Sequence, residues 1–154
     1  MLNKGTGSTG IAWLYGEIPI HHRYTLGIAG ERFFKAMRDQ QIFLASHCPK
    51  CDQRFLPPKI YCEHCFQETG DWSVVEGTAY LKAFTIMHRD LEEQPLEPPQ
   101  VVGLVAWEGV RGGLVHRVGE VAPEGISTGI SLEPVWAEER TGTIDDVRYS
   151  RPSR

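Results

Sequence analysis

The chain has 154 residues, with 16 lysines and arginines against 20 aspartates and glutamates, for a formal net charge of −4. That length allows one domain of usual size, or one small domain joined to a metal-stapled ribbon. The acidic balance argues against a nucleic-acid groove, where basic surface dominates affinity, and no apolar run approaches the about 20 residues needed to cross a bilayer.

Residues 1–10 are rich in Gly, Thr and Ser and lack the apolar stretch of a signal peptide. They predict a flexible start and a cytoplasmic protein. Residues 11–28 hold Trp13, Leu14, Tyr15, Ile18, Ile20, Tyr24 and Leu26, interrupted by Gly16 and Pro19, with neither a helical nor a strand period. Such a segment is either an arm folded back on its own domain or an apolar arm that another subunit buries. His21 and His22 read as part of that arm. Residues 30–41 read as an amphipathic helix: Phe33, Phe34 and Met37 share one side, and Glu31, Arg32, Lys35, Arg38 and Asp39 face water. Residues 42–46 then read as a strand.

That strand leads into Cys48-Pro49-Lys50-Cys51, answered after ten residues by Cys62-Glu63-His64-Cys65; together these hold every cysteine in the chain. Two thiolates two residues apart grip one side of a tetrahedral metal ion, and a second pair grips the other. The short spacing predicts a compact, rubredoxin-like zinc ribbon with Cys48, Cys51, Cys62 and Cys65 as ligands. Two disulfides would require an oxidising compartment, and four thiolates also accept iron, which would make an electron carrier. His47 and His64 are expected just outside the metal's ligands. Between the knuckles, Arg54-Phe55-Leu56-Pro57-Pro58 is expected to form the hairpin, with Lys50, Arg54 and Lys59 partly offsetting the charge of a zinc tetrathiolate. With all four thiolates on a metal, no cysteine is left for covalent catalysis.

From Trp72 onward the pattern is strands punctuated by glycine. Residues 72–75 form a short strand. Residues 78–89 form a long one, with Tyr80, Phe84 and Ile86 on one face and Leu81, Ala83 and Met87 on the other. A strand apolar on both faces suits a covered barrel strand. Residues 90–99 are acidic and proline-stiffened, predicting a long loop that is either solvated or reaches a partner from the barrel rim. Residues 101–107 and 114–118 flank a glycine-rich hairpin loop at 108–113. Residues 130–137 and 144–149 close the set, with Pro134 tolerable only at an edge or bulge. The count fits a five-stranded Greek-key OB barrel.

Three features invite other readings. Gly125-Ile126-Ser127-Thr128-Gly129 matches a serine-hydrolase elbow, but that elbow needs a strand-to-helix turn in a large parallel sheet, so a barrel turn is expected. His88 and His116 fall in strands without an evident orienting carboxylate, which favours structural roles. Tyr80, Phe84 and Trp107 would stack bases if exposed on an OB face; without interleaved basic residues, barrel core is the expectation.

The order helix, ribbon, barrel resembles the zinc-ribbon/OB-fold family associated with acyl-CoA enzymes, over residues 33–152. The resemblance rests on His47-Cys48-Pro49-Lys50-Cys51, Pro57-Pro58, Cys62-Glu63-His64-Cys65, Gly77-Thr78-Ala79-Tyr80 and Phe84-Thr85-Ile86-Met87-His88. Gly129-Ile130-Ser131-Leu132-Glu133-Pro134-Val135 and Arg148-Tyr149-Ser150-Arg151-Pro152 complete it. The family often has glycine after each knuckle's second cysteine, where this chain has Asp52 and Phe66.

The fold expected is mainly β: a flexible N-terminus and apolar arm (1–28), a helix plus zinc ribbon (29–70) and an OB-fold domain (71–154). The resemblance implies a non-catalytic accessory subunit in a hetero-oligomer with a thiolase-family catalytic subunit acting on 3-oxoacyl-CoA. A partner acyl-CoA hydratase is the alternative, and single-stranded nucleic-acid binding is a further one for an OB barrel. It implies structural Zn2+, a CoA thioester as ligand of the complex, and no nucleic-acid or membrane partner. A thiolase needs a cysteine nucleophile, acid/base groups and an oxyanion hole, which the partner would supply. Lys59, Lys82 and Arg89 are candidates to meet CoA phosphates.

Overall fold

A computed structural model describes residues 2–4, 12–14 and 24–153. The flexible start and the apolar arm expected over residues 1–28 lie mostly outside the described residues. Within that region β1 (Leu2–Lys4) and β2 (Ala12–Leu14) pair antiparallel, Leu2 opposite Leu14. Tyr24, Leu26 and Ile28 leave their side chains exposed.

Helix α1 spans Gly27–Gln40, one turn earlier than its apolar spacing suggests. It buries Phe33, Ala36 and Met37 while Glu31, Arg32, Lys35, Arg38 and Asp39 face water, as the 3.6-residue period requires. It stops at Gln41, whose left-handed backbone (φ 57°) lets its N–H reach the carbonyl of Met37 at 3.1 Å. The buried face meets an aromatic cluster: the Phe43 ring lies 6.3 Å from Phe33 and 5.2 Å from both Trp107 and Trp136. Those rings join the helix to the barrel, so Trp107 is core, 5% exposed, and unavailable for stacking on a base.

The barrel is closed, in the order β10-β11-β9-β7-β6. Its strands are β6 (Ala79–Arg89), β7 (Pro95–Ala106), β9 (Leu114–Val118), β10 (Ser131–Trp136) and β11 (Val147–Pro152). Pro134 is tolerated because β10 meets β6 only at Ser131 and Leu132, leaving no ladder partner on that side of residue 134. Residues 144–146, expected as strand, form a 3-10 turn instead. There the buried Asp146 carboxylate accepts the N–H of Thr141 at 2.8 Å and of Gly142 at 2.9 Å.

The two faces of β6 differ from the strict alternation. Leu81 pairs with Val105 and Ala83 with Leu104, so Lys82 has no opposite number and forms a bulge. The extra residue resets the phase: Ala79 and Leu81 face the core, and beyond the bulge Phe84 and Ile86 pack on it while Ala83 is exposed.

The acidic loop is also shorter than expected. Asp90 closes a tight turn, its Oδ1 accepting N–H groups from Glu92 (3.0 Å) and Gln94 (2.8 Å), and residues 95–99 already belong to β7. Their prolines are accommodated because β9 does not pair with β7 before Val101.

A second sheet, in the order β5-β3-β4-β8, carries the ribbon. Strand β3 (Leu44–Cys48) lies between β5 (Trp72–Val74) and β4 (Gln53–Leu56). Arg54-Phe55-Leu56 is therefore strand, one arm of the β3–β4 hairpin. The glycine-rich run expected as a plain loop supplies β8 (Val110–Gly112), which crosses from the barrel to pair parallel with β4, Leu56 opposite Gly112. At Gly112 (φ +95°) a Cβ would stand 2.1 Å from the Leu56 carbonyl oxygen, so this close approach needs glycine.

Candidate metal centre

Strand β3 delivers Cys48 at its end, and the tight turn after it returns Cys51 beneath. The left-handed backbone there falls on Asp52 (φ 51°), whose carboxylate meets His47 Nε2 at 2.9 Å. The second knuckle is built from backbone hydrogen bonds: Cys62 N–H to Gln67 O at 2.9 Å, Phe66 N–H to Cys62 O at 2.9 Å and Thr69 N–H to Ile60 O at 2.7 Å. Here the left-handed residue is Phe66 (φ 59°), its ring 80% exposed. Both non-glycine substitutes thus adopt the conformation that glycine supplies more cheaply.

The two knuckles bring all four sulfurs within 4.8 Å of one another. Cys48 and Cys62 are fully buried, Cys51 and Cys65 partly so, and all four thiols are free. The Cys48–Cys65 and Cys51–Cys62 sulfurs lie 3.6 and 4.0 Å apart, far beyond the about 2.05 Å of a disulfide. A tetrahedron with Zn–S bonds of about 2.3 Å has edges of about 3.8 Å. The donor set therefore fits a structural Zn2+ held by Cys48, Cys51, Cys62 and Cys65.

The four thiols perturb one another. Burial works to raise Cys62, but hydrogen bonds from the backbone N–H groups of Cys65 and His64, together with those of the Cys48 and Cys65 side chains, outweigh it and bring the thiol down to about 7; the His64 N–H stands 3.4 Å from its sulfur. Cys51 is pushed up to about 12, first by its hydrogen bond with the Cys65 sulfur and then by burial. Four adjacent thiolates repel one another, and a divalent cation relieves that repulsion.

His47 and His64 lie outside the sulfur cluster. Lys59 pairs with Glu63 and lies 5.3 Å over the Phe55 ring. Arg54 Nη2 donates to Ser73 Oγ (2.9 Å) and Val74 O (3.0 Å), bracing β4 to β5 across β3. Ser46, which sequence reasoning passed over, is fully buried and accepts the Lys59 N–H at 2.9 Å, tying the second knuckle to β3. Its signal was a hydroxyl two residues before the first ligand, on a strand otherwise leading into the core.

The remaining candidates are scattered. His88 is exposed on β6, and Ser127 is exposed in the turn before β10, away from any strand-to-helix junction. His116 on β9 is half-buried, its Nδ1 has no hydrogen-bond partner among the described residues, and burial holds its imidazole below the ordinary value. Arg89 donates to the carbonyl of Glu93 at 2.7 Å. Among the described residues no helix is long and apolar enough to cross a membrane.

Fold and site together define a zinc-ribbon/OB-fold protein. Residues 36–69 match the ChsH2 rubredoxin-like zinc ribbon domain, and residues 72–137 match the ChsH2 C-terminal OB-fold domain. The chain belongs to this ChsH2-type zinc-ribbon/OB-fold family. Among solved structures, a DUF35-family protein of unknown function from Sulfolobus solfataricus is 29% identical, with a TM-score of 0.63. That match covers 71% of this chain and 78% of the other. A structure described as the Ltp2-ChsH2(DUF35) aldolase is 25% identical, with a TM-score of 0.58, covering 84% of this chain and 98% of the other. No curated protein matches the sequence.

Proposed function

We propose that this chain is a non-catalytic accessory subunit that binds beside a catalytic chain of the thiolase type and helps to shape its acyl-CoA site. One observation carries the reading: every cysteine of the sequence is gathered in the four-sulfur cluster. Thiolytic carbon–carbon cleavage needs a cysteine to take up the acyl group, and a thiolate spent on zinc is not available for it. The nucleophile, the acid/base groups and the oxyanion hole then belong to the partner. This chain supplies a rigid barrel and a metal-fixed ribbon. Exposed apolar side chains at Tyr24, Leu26 and Ile28, at the start of α1, add surface for a partner to cover.

The substrate class is a 3-oxoacyl-CoA thioester. The whole chain resembles the small subunit of the thiolase that cleaves benzoylsuccinyl-CoA in anaerobic toluene breakdown, which makes that aromatic thioester the first to test. A second reading has support of its own. The related structure is described as an aldolase containing a ChsH2(DUF35) component, so the partner's carbon–carbon cleavage is then retro-aldol and needs no cysteine.

Co-expression with the candidate catalytic chain tests the proposal. A stable hetero-oligomer should form, and activity should require both chains. Separate elution, with the catalytic chain fully active alone, would overturn it. Cleavage that persists when the partner's cysteines are replaced would select the aldolase reading.

A further inference from the structure

The seam where β8 joins the ribbon to the barrel forms a groove of about 470 Å³, within the range of small-ligand sites. Its apolar floor includes Phe55 and Val110, and three cations line it: Lys59, Lys82 and Arg111. They come from three different places, the inter-knuckle segment, β6 and β8. One carboxylate, Glu63, answers them; it pairs with Lys59 and lies 3.9 Å from Arg111 Nη2. Arg111 also donates to Gln53 Oε1 at 2.9 Å, which fixes its guanidinium. Lys82 is left over: among the described residues its ammonium makes no hydrogen bond or ion pair.

The position of Lys82 is not that of an ordinary strand lysine. It is the bulged residue of β6, and both it and Ala83 are exposed as a result. Bulges re-aim side chains and are over-represented beside functional sites. On a chain with a net charge of −4, three cations against one carboxylate in a single groove make a local positive field.

We infer that this groove binds the diphosphate of a nucleotide-bearing ligand, with Lys82 and Arg111 on the phosphates and the apolar floor under the rest. The groove's bounded volume suits a small polyanion better than a nucleic-acid strand, which needs an extended basic track. Identifying the ligand as the CoA portion of a thioester rests on the proposed function; the anion site itself does not.

The experiment is calorimetric titration of the zinc-loaded full chain with ADP and with pyrophosphate, using adenosine as the uncharged control and checking zinc content afterwards. ADP and pyrophosphate should bind, adenosine should not, and binding should weaken as added salt shortens the screening length toward about 3 Å at 1 M. Lys82→Gln and Arg111→Gln should each weaken ADP binding about tenfold or more, the loss of one charged hydrogen bond. Lys35→Gln, on the solvent face of α1, should leave it unchanged. Absence of saturable binding at millimolar ADP, or affinity that neither groove variant alters, would overturn the inference. The Lys82→Gln chain should still assemble with a catalytic partner. Assembly without ADP binding would sink the groove and spare the proposed function, and ADP binding without assembly would do the reverse.

Discussion

Gly112→Ala tests the junction on which the architecture depends. At φ +95° an L-residue costs about 1–2 kcal/mol on its own. The added Cβ would also sit 2.1 Å from the Leu56 carbonyl oxygen, against backbone that cannot rotate aside. Strands β4 and β8 must then part by about 1 Å to reach an ordinary contact. That opening forfeits the Gly113 N–H to Leu56 O bond at 2.8 Å, worth about 1 kcal/mol. The expected loss is about 2–4 kcal/mol, a large part of a typical domain's stability. Gly109→Ala serves as the control, since it shares the left-handed backbone (φ +69°) but has open space around its Cβ. It should cost only about 1–2 kcal/mol. Urea titration gives both values, and hydrogen exchange should show amides of β4 and β8 losing protection in the Gly112 variant alone. Equal stabilities for the two variants would refute the steric argument.

Metal analysis should find one zinc per chain in a colourless protein, and a red, redox-active preparation would mean iron. Stripping the metal should release hydrogen-exchange protection over residues 47–70 and leave the barrel protected, because among the described residues Phe55 is the one large apolar residue buried in the ribbon's own cluster; a ribbon still protected without metal would contradict this. Zinc affinity should fall as pH falls, since protons compete for the thiolates, and pH-independent affinity would oppose thiolate ligation. Phe66→Gly should raise stability by about 1 kcal/mol, measured as a higher Tm, by removing left-handed strain from an exposed ring; a lower Tm would show that the ring has a packing role. Burial depresses the His116 pKa in the folded chain, so the unfolded chain takes up the proton first. Its stabilising contribution is present above the unfolded value of about 6.5 and lost as pH falls through the folded value, so His116→Gln should flatten the acid limb of the stability curve. Parallel curves would rule His116 out.

The parts of this molecule written locally were readable from sequence. Cysteine spacing, the run of Phe33, Phe34 and Met37, and glycine-separated β segments each depend on neighbours a few residues away. What stayed hidden depends on distant partners. The bulge at Lys82 resets the alternation of β6, and period-two counting carries straight through it. Val110-Arg111-Gly112 reads as loop because its pairing is with β4, more than fifty residues earlier, and its glycine answers a carbonyl on that strand. Residues 95–99 read as loop because prolines lack N–H groups, but a strand stretch without a second neighbour does not need them. At the candidate metal centre the gathering of four cysteines was legible and its supports were not: Ser46 and Arg54 act through contacts that no spacing encodes.

In the proposed function this chain assists a reaction carried out by its partner. The most direct measurement is CoA release from a 3-oxoacyl-CoA thioester by the purified, zinc-loaded chain, alone and after reconstitution with its catalytic partner. Background release from the chain alone and sustained turnover from the pair is the predicted result. Sustained turnover by the isolated chain, undiminished once its zinc is removed, would contradict it.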